Sequence, residues 1–527
     1  MEITVRMIGA LQLFISWLLW PYYFILSLKR IKPLPPIKSQ LLEIPAVELA
    51  RKIRHRQISS KEVVEAYIQR IRDVNPILNA VVEYRFREAL EDAEKVDQFL
   101  SSTNTDLATI EKETPLLGVP ITVKESLGLK GYSHCVGSIA RKGVKSSDHG
   151  ESVENVIKAG GIPIAVTTTP EYCMSWETSN NVTGVTNNPY DPLRTPGGSS
   201  GGEGALLGSG ASLIGLGSDI AGSIRIPAMF NGVYGHKPSP GFVSIKGHFP
   251  NSTDHNFNNY LVCGPMTRYV DDLKPLLKIM AGEKAAGLRL DEEVDISKLK
   301  IFYKEDAGFS LVAVPVDWEI KAGIRDAASF LEKSYNCQVK KANIKELEDS
   351  VEISTTVFLG MEGIPNIMKM SQKENEEEQN LYHEIWKSYF GKSDYSLSAL
   401  LFMFILKYNL FIPRTKYPFY CKQNEELRTK FNNLLGENGV FIYPTYPIPA
   451  LYHNETFNRI AGIMYTMIFN TLRLPSTHVP IGLDRHGLPI GLQIIAGEKQ
   501  DRLCMAVAKA LDARFGGWVP PPSEPIG

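Results

Sequence analysis

The sequence predicts an α/β body behind an N-terminal membrane segment. Three observations support this: helix-like and strand-like stretches alternate, residues 7–28 carry no charge, and two serine-bearing, glycine-rich turns lie within residues 197–235. Alternation of the two element types is typical of layered α/β folds. The 527 residues are 43% hydrophobic and 22% charged, with a formal net charge of −1. These are globular values, and they give no reason to expect nucleic acid as a partner.

Residues 7–28 form an apolar run of 22 residues, and about 20 apolar residues span a bilayer core. Trp17 and Trp20 suit a membrane interface, and the residues that follow are basic: Lys29, Arg30 and Lys32. We predict an uncleaved, single-pass anchor. A cleaved signal peptide is the alternative, but the run is long and no small-residue cleavage site follows it. The basic flank predicts a cytosolic body on an endomembrane or a lipid droplet.

Residues 29–41 predict a linker and residues 42–520 a single catalytic domain. Prolines at 33, 35 and 36 would stiffen the linker. Ser59 and Glu62 have the spacing of a capping box at the start of a helix. Apolar spacing and β-branched residues then predict a helix at 86–100, strands at 117–123 and 162–167, a helix at 203–209, a strand at 213–216 and a helix from 226 onward.

The two glycine-rich turns are the strongest chemical signal in the chain. The first covers residues 197–202 and contains Ser199 and Ser200; the second covers residues 219–225 and contains Ser223. Glycine permits unusual backbone conformations and close approach of a substrate. A turn that leads into a helix directs free N–H groups towards a developing anion. Two such turns favour a serine hydrolase site over simple packing of small residues.

Lys124 follows an apolar, β-branched stretch and is the candidate base. A serine hydroxyl needs a base to activate it, and burial lowers the pKa of a lysine so that the amine can be neutral. Because the predicted strand at 117–123 is apolar, it would deliver Lys124 to a buried position. The alternative is a surface lysine paired with Glu125.

These motifs together resemble a known family. Residues 197–235 resemble the signature of the amidase signature family, residues 120–125 resemble its lysine segment, and residues 235–239 match the stretch that closes the signature. The resemblance extends from about Leu42 to Trp518. It implies a fold with one mixed β-sheet core surrounded by α-helices, preceded here by the predicted transmembrane helix.

The resemblance implies roles for individual residues. Ser223 corresponds to the acylated nucleophile, and Lys124 to the base that later acts as the acid. Ser199 corresponds to the bridging serine, which the family holds after a cis peptide, and Ser200 would hydrogen-bond in the same network. The implied oxyanion loop consists of Ile220, Ala221, Gly222 and Ser223.

Several further expectations accompany these roles. Many family members have glycine at position 221; alanine keeps the N–H, but a positive φ there would be strained. Asp219 and Arg225 would form a scaffold, with an ion pair as one option. The segment implied to line the acyl-binding site is Cys173, Met174 and Ser175. No phosphate loop, HExxH or CxxC motif is present, so we expect neither a metal nor another cofactor.

A Ser-His-Asp esterase is the competing hydrolase class, because both serines of the first turn fit GxSxG. That motif requires a strand immediately before it. Prolines at 189, 192 and 196 exclude a central strand there. We therefore predict that His236 and His478 are structural.

The substrate class follows less directly. The same machinery serves amidotransferase subunits, bacterial amidases and lipid amidases, and the anchor favours a lipid substrate: a fatty-acid amide cleaved to fatty acid and amine. Other small amides or esters, or an amidotransferase-type subunit, are the alternatives. The apolar residues 397–406 are too short to span a membrane; they predict either a buried helix or, with the segment up to 420, a membrane cap. A homodimer is left open.

Overall fold

A computed structural model describes residues 2–29, 32–309, 313–369, 377–408 and 412–523. Within these ranges the strands are β1 (Val81–Tyr84), β2 (Pro120–Lys124), β3 (Ile162–Thr167), β4 (Ser179–Asn180), β5 (Gly184–Val185), β6 (Ile214–Asp219), β7 (Tyr234–Lys237), β8 (Val262–Thr267), β9 (Lys300–Tyr303), β10 (Gln338–Lys341), β11 (Gly439–Pro444), β12 (Ser476–Leu483) and β13 (Pro489–Ala496).

The helices in the same ranges are α1 (Ile3–Ser27), α2 (Ala46–Arg54), α3 (Ser60–Leu78), α4 (Phe86–Ser102), α5 (Leu107–Glu113), α6 (Glu151–Lys158), α7 (Gly201–Gly208), α8 (Arg225–Phe230), α9 (Phe257–Tyr260), α10 (Leu273–Ala281), α11 (Trp318–Tyr335), α12 (Ser350–Leu359), α13 (Leu381–Ser388), α14 (Leu397–Tyr408), α15 (Tyr417–Leu435), α16 (Met464–Thr471) and α17 (Asp501–Phe515).

The described strands form one large mixed sheet and a separate two-stranded pair, β4–β5. The large sheet has eleven strands in the order β1-β3-β2-β6-β8-β7-β12-β13-β11-β9-β10. Strand β2 runs parallel to both β3 and β6, whereas β8, β7 and β12 pair with their neighbours in antiparallel fashion. Every residue of β2, β3, β6 and β8 is buried. The predicted α/β fold, with one mixed sheet among helices, is confirmed.

The parallel strands bring the two predicted chemical segments to one edge of the sheet. Thr122 of β2 pairs with Gly215 of β6, and Lys124 pairs with Thr167 of β3. Because neighbouring parallel strands end at the same edge, Lys124 and the turn that begins at Asp219 lie side by side. The sheet order therefore places the lysine beside the second glycine-rich turn.

Most predicted elements are present, with shifted ends. The strand predicted at 117–123 begins only at Pro120, because the amides of Leu117 and Val119 donate to Thr114 and Leu116 within a turn. The strand predicted at 213–216 continues to Asp219 through Gly217, a residue type depleted in strands. The capping box is present: Ser59 Oγ accepts from the amide of Glu62 and the Glu62 carboxylate accepts from that of Ser59.

Helix α1 contacts the catalytic body near both of its ends. The amide of Glu2 donates to Glu352 at 3.2 Å, the Gln12 side chain donates to the carbonyl of Phe457 at 3.3 Å, and the ring of Tyr23 stacks on that of Tyr452 with centroids 5.5 Å apart. It is the one described helix that is long and apolar enough to cross a membrane. Its outward face is apolar and exposed, with Met7 at 67% and Trp17 at 72%.

The predicted linker packs on the body where it is described. Leu34 is buried, and Arg70 donates to the carbonyls of Pro35 and Pro36 at 2.6 and 3.2 Å. Residues 30 and 31 lie outside the described residues. From Leu34 to Pro36 the segment is thus held against the body.

Helix α14 is not the buried core helix that is one of the two alternatives for residues 397–406, and the membrane cap stays a prediction. Only Ala399 and Leu400 are buried, and the residues from 401 to 406 are half-buried. Its buried residues join a small hydrophobic cluster that is separate from the main core: Tyr172, Ile367, Met368, Leu381, Tyr395, Ala399 and Leu400. Helix α14 is therefore a partly exposed wall rather than a core helix.

Candidate active site

Lys124 is fully buried at the end of β2 and points at two serines. Its Nζ lies 2.8 Å from Ser199 Oγ, 2.9 Å from Ser218 Oγ and 3.4 Å from the carbonyl oxygen of Ser218. Burial lowers the pKa of Lys124 below its usual range, which favours the neutral amine. Glu125 turns elsewhere and accepts from Ser133 and Cys135. The alternative of a surface Lys124–Glu125 pair is wrong, because both side chains are buried with other partners.

The first glycine-rich turn presents Ser199 to the lysine. The peptide between Gly198 and Ser199 is cis, as the family resemblance implied. Ser200 was expected to hydrogen-bond in the same network. Its hydroxyl donates to the Ser218 carbonyl at 3.4 Å, and its amide donates to the carbonyl of Ser223 at 3.2 Å. Ser200 thus shares an acceptor with Lys124 and joins the two turns.

A buried ion pair organises the second turn. The carboxylate of Asp219 accepts from the amides of Gly222 at 2.7 Å and Ile224 at 3.1 Å, and from Arg225 Nε and Nη2 at 3.1 and 3.0 Å. Burial alone would raise the pKa of Asp219, but the charge and hydrogen bonds of Arg225 and a hydrogen bond from Asn470 hold that pKa well below its usual range. The expected option of an ion pair is what the structure contains.

Arg225 connects this turn to distant parts of the sheet. Its side chain is fully buried and donates to Gln493 on β13 at 2.9 Å and to Asn470 on α16 at 2.6 Å. Asn470 in turn donates to Asp219 Oδ1 at 2.9 Å. The turn is therefore fixed by two separate elements, β13 and α16.

Two peptide groups of the turn have N–H groups that point away from the hydrogen-bond partners of their carbonyl oxygens. The carbonyl of Asp219 accepts from Asn470 at 3.3 Å, and the carbonyl of Gly222 accepts from the Ile226 amide at 2.7 Å. In a trans peptide the C=O and N–H point in opposite directions, so the N–H groups of Ile220 and Ser223 face away from these partners. Both residues line the apolar cavity described below.

One of the four expected oxyanion donors is used elsewhere. The N–H of Gly222 donates to Asp219, so Ile220, Ala221 and Ser223 are the remaining candidate donors. The concern about a positive φ at Ala221 does not arise, since the positive φ of +114° falls on Gly222. A Cβ added at Gly222 would lie 2.3 Å from Thr466 Oγ1, which donates to the carbonyl of Ala221 at 3.0 Å. Only glycine fits at position 222.

A largely apolar cavity extends from the serines. Its polar end includes Ser199, Ser218, Ser223 and His248. The segment Cys173, Met174 and Ser175, implied by the resemblance to bind the acyl group, lines the wall. The apolar arm is formed by α12, α14 and the region around α16, through residues that include Phe358, Leu359, Phe402, Ile405, Ile463 and Met467. The cavity thus joins the serines to a series of aliphatic and aromatic side chains.

The histidines of the competing hydrolase class lie outside this cavity. His236 is fully buried, with its ring nitrogens 2.8 Å from Thr477 Oγ1 and 3.0 Å from Asp501. His478 contacts Thr445 Oγ1 at 2.7 Å. The prediction that both are structural agrees with these partners.

Two residues at the polar end, Ser218 and His248, belong to no motif in the sequence. Ser218 lies in the part of β6 beyond the predicted strand end at residue 216, and His248 lies in a loop without a motif. Extending the predicted strand from residue 216 to residue 219 would have placed Ser218 beside Lys124, at the edge shared by β2 and β6.

The buried lysine, the two serine turns and the cavity define a serine hydrolase of the amidase class. The family model described as Amidase matches residues 62–505, and the chain belongs to this family. It is 40% identical over 523 residues to Fatty-acid amide hydrolase 2-A of Danio rerio, covering 98% of this chain and 97% of that protein.

Two further similarities agree with this result. The chain is 38% identical over 491 residues to Fatty-acid amide hydrolase 2 of Homo sapiens, which covers 92% of each chain. A solved structure described as Fatty acid amide hydrolase has a TM-score of 0.73 and 24% identity, covering 92% of this chain and 87% of that one. This last likeness concerns the fold.

Gly222→Ala should abolish most reactivity of Ser223, because the added Cβ would move Thr466 or the turn that presents the candidate oxyanion donors. We expect the rate of fluorophosphonate labelling to fall by about 100-fold or more, as for loss of an oxyanion donor. Gly143→Ala is the matched control: its φ is +87°, but an added Cβ meets nothing within 4 Å. Normal labelling of Gly222→Ala would contradict the assignment of this turn.

Proposed function

We propose that the protein hydrolyses fatty-acid amides to free fatty acid and amine, with Ser223 as the acylated nucleophile. The observation that carries the proposal is the buried contact of 2.8 Å between Lys124 and Ser199 at the polar end of an apolar cavity that Ser223 also lines. Two relatives of nearly full-length match, named above, are fatty-acid amide hydrolases.

The proposed proton path starts from the contact between Lys124 and Ser199, and Ser223 lines the same cavity as Ser199. Neutral Lys124 accepts the proton of Ser199, which accepts the proton of Ser223 as the Ser223 oxygen attacks the amide carbonyl. The oxyanion receives hydrogen bonds from the N–H groups of Ile220, Ala221 and Ser223. The proton on Lys124 then returns through Ser199 to the leaving nitrogen as the C–N bond breaks. Water repeats the sequence on the acyl-enzyme and releases the carboxylic acid.

The cavity lining favours a lipid acyl chain over the alternative substrates. A small polar amide or the glutamine of an amidotransferase would leave the arm formed by Phe358, Phe402 and Ile405 in contact with water. A fatty acyl chain covers these side chains. The binding free energy then gains roughly 25 cal/mol for each Å² of apolar surface removed from water. Other amides and esters remain the second candidate class for the same catalytic residues.

We further propose that α1 attaches the enzyme to a membrane, with the catalytic body at the cytosolic face of an endomembrane or at a lipid droplet. The exposed apolar face of α1 supports attachment. Its contacts favour a helix that lies along the membrane surface over the single-pass crossing expected from the sequence. Glu2 and Tyr23, separated by roughly 30 Å of helix, both touch the body. A body on one side of a bilayer cannot contact both ends of a spanning helix.

The function is tested by labelling and by substrate length. Intact-protein mass spectrometry after fluorophosphonate treatment should show one adduct at Ser223, and a long-chain acyl amide should compete better than a short one. Ser223→Ala should lose activity by several orders of magnitude. An adduct on Ser199 or Ser200 would overturn the nucleophile assignment, and equal competition by short amides would favour the second candidate class.

Lys124→Ala should damage amide hydrolysis more than hydrolysis of a matched ester, because an amine must be protonated to leave and an alkoxide needs less help. In the unmodified enzyme the rate should fall as pH drops through the folded-state pKa of Lys124, because the base becomes protonated. Burial places that limb below the usual lysine value of 10.5. The variant's rate should depend more steeply on pH, since hydroxide replaces the base. Near-normal amide hydrolysis by Lys124→Ala would exclude this mechanism.

The position of α1 is tested by access to its N-terminal end. A protease-cleavable tag before Glu2 should be cut in intact vesicles from the same side as a tag at the C-terminus, as expected for a helix on the surface. Detergent-permeabilised vesicles are the control for tag integrity. Protection of the N-terminal tag alone would show that α1 crosses the bilayer.

A further inference from the structure

His248 is a buried histidine at the polar end of the cavity, 7% exposed, and the mechanism above does not use it. Its Nε2 lies 2.9 Å from Ser218 Oγ, and its Nδ1 lies 2.8 Å from the carbonyl oxygen of Pro250. Ser218 Oγ is in turn 2.9 Å from Lys124 Nζ. His248 therefore reaches the base through a single hydroxyl group.

The Pro250 carbonyl determines which ring nitrogen carries the hydrogen. A carbonyl oxygen can only accept, so Nδ1 of His248 must be the donor. Burial, with the nearby Lys124 as a second cause, lowers the pKa of His248 to about 3. The ring is therefore neutral and has only one N–H, which makes Nε2 an acceptor.

It follows that the Ser218 hydroxyl donates to His248. A serine has a single hydroxyl hydrogen, and Nε2 needs it. The other neighbouring hydroxyl, Ser126 Oγ, is 3.5 Å away, whereas Nε2 of His248 is at 2.9 Å, so the hydrogen goes to the histidine. With its hydrogen used in this way, Ser218 Oγ can only accept from Lys124.

This direction decides the orientation of the neutral lysine amine. Neutral Lys124 has two N–H groups and one lone pair, and it has three partners: Ser218 Oγ, the Ser218 carbonyl and Ser199 Oγ. The two oxygen atoms of Ser218 both have to accept, so they take the two N–H groups. The lone pair is left for the hydroxyl hydrogen of Ser199.

We propose that His248 is a positioning residue which fixes the direction of the Ser218–Lys124 hydrogen bond and thereby reserves the lysine lone pair for Ser199. The inference rests on the proposed Ser223–Ser199–Lys124 mechanism. Without the acceptor at Nε2, the Ser218 hydroxyl is free to donate to the lone pair of Lys124 and to compete with Ser199. The base would then be blocked by its own neighbour.

The same arrangement suits the protonated lysine. Once Lys124 has taken the proton from Ser199, its three N–H groups face three acceptors: both oxygen atoms of Ser218 and the oxygen of Ser199. The amine does not need to rotate between accepting the proton and returning it. With His248 in place, the same arrangement of partners therefore serves neutral Lys124 and protonated Lys124.

The test is a double-mutant cycle on the rate of fluorophosphonate labelling of Ser223, which reports nucleophile activation. His248→Leu should slow labelling by about tenfold or more, a part of the effect of general-base catalysis. In a Ser218→Ala background the competing hydroxyl is absent, so His248→Leu should change the rate by less than about threefold. Equal losses in both backgrounds would show a purely packing role and overturn the proposal.

A second pair of variants keeps the test valid if His248→Leu does not fold. His248→Gln places an amide oxygen near the position of Nε2 and should retain most of the rate, whereas His248→Asn reaches only the position of Nδ1 and should lose it. Equal rates for folded Gln and Asn variants would contradict the proposal. His134→Leu is the matched control, because His134 contacts the Ser126 carbonyl at 3.3 Å and should not affect labelling.

The proposed function is scored separately in the same assay. Lys124→Ala and Ser223→Ala should both lose labelling; if they do not, the mechanism fails, and the positioning role of His248, which rests on that mechanism, fails with it. If they do, and the cycle shows no coupling between His248 and Ser218, only the positioning role is rejected.

Discussion

The buried ion pair between Asp219 and Arg225 is the interaction on which the site depends. Both side chains are fully buried, and the carboxylate accepts from backbone amides of its own turn as well as from the guanidinium. Removing one partner of such a pair costs about 3–5 kcal/mol, because an unpaired charge stays buried. Here the loss would also free the peptides of the turn. The ion pair therefore fixes the directions of the N–H groups in this turn.

The sheet provides the complementary constraint by burying an amine that water would keep charged. Lys124 ends a strand that is buried at every residue, and the groups within reach of its Nζ are hydroxyl and carbonyl oxygens rather than carboxylates. Hydroxyl groups satisfy the hydrogen bonds of the amine without stabilising its positive charge as strongly as an anion would. A lysine surrounded in this way is a base, whereas the same side chain beside a carboxylate would be half of a salt bridge.

The sequence predicted those features that depend on residues close together in the chain. It missed those that depend on contacts between distant segments. Lys124 was placed at a strand end because apolar β-branched residues precede it, and β3 was predicted with its observed ends at 162 and 167. Ser218 was missed because it follows Gly217 and precedes Asp219, and both residue types are depleted in strands. His248 could not be predicted, because its partner lies 30 residues earlier in sequence and their contact exists only after β6 and the following loops pack together.

The small hydrophobic cluster that includes Ala399 and Leu400 of α14 supports one side of the cavity. Its seven buried residues, with Tyr172 and Leu400 among them, are separate from the main core that holds the catalytic strands. Separate clusters open by local unfolding at a lower free energy than the whole protein. The part of the cavity wall that this cluster supports can thus open while the strands that carry Lys124 and Asp219 stay folded. Entry of a long, flexible lipid would then require only this part of the wall to move.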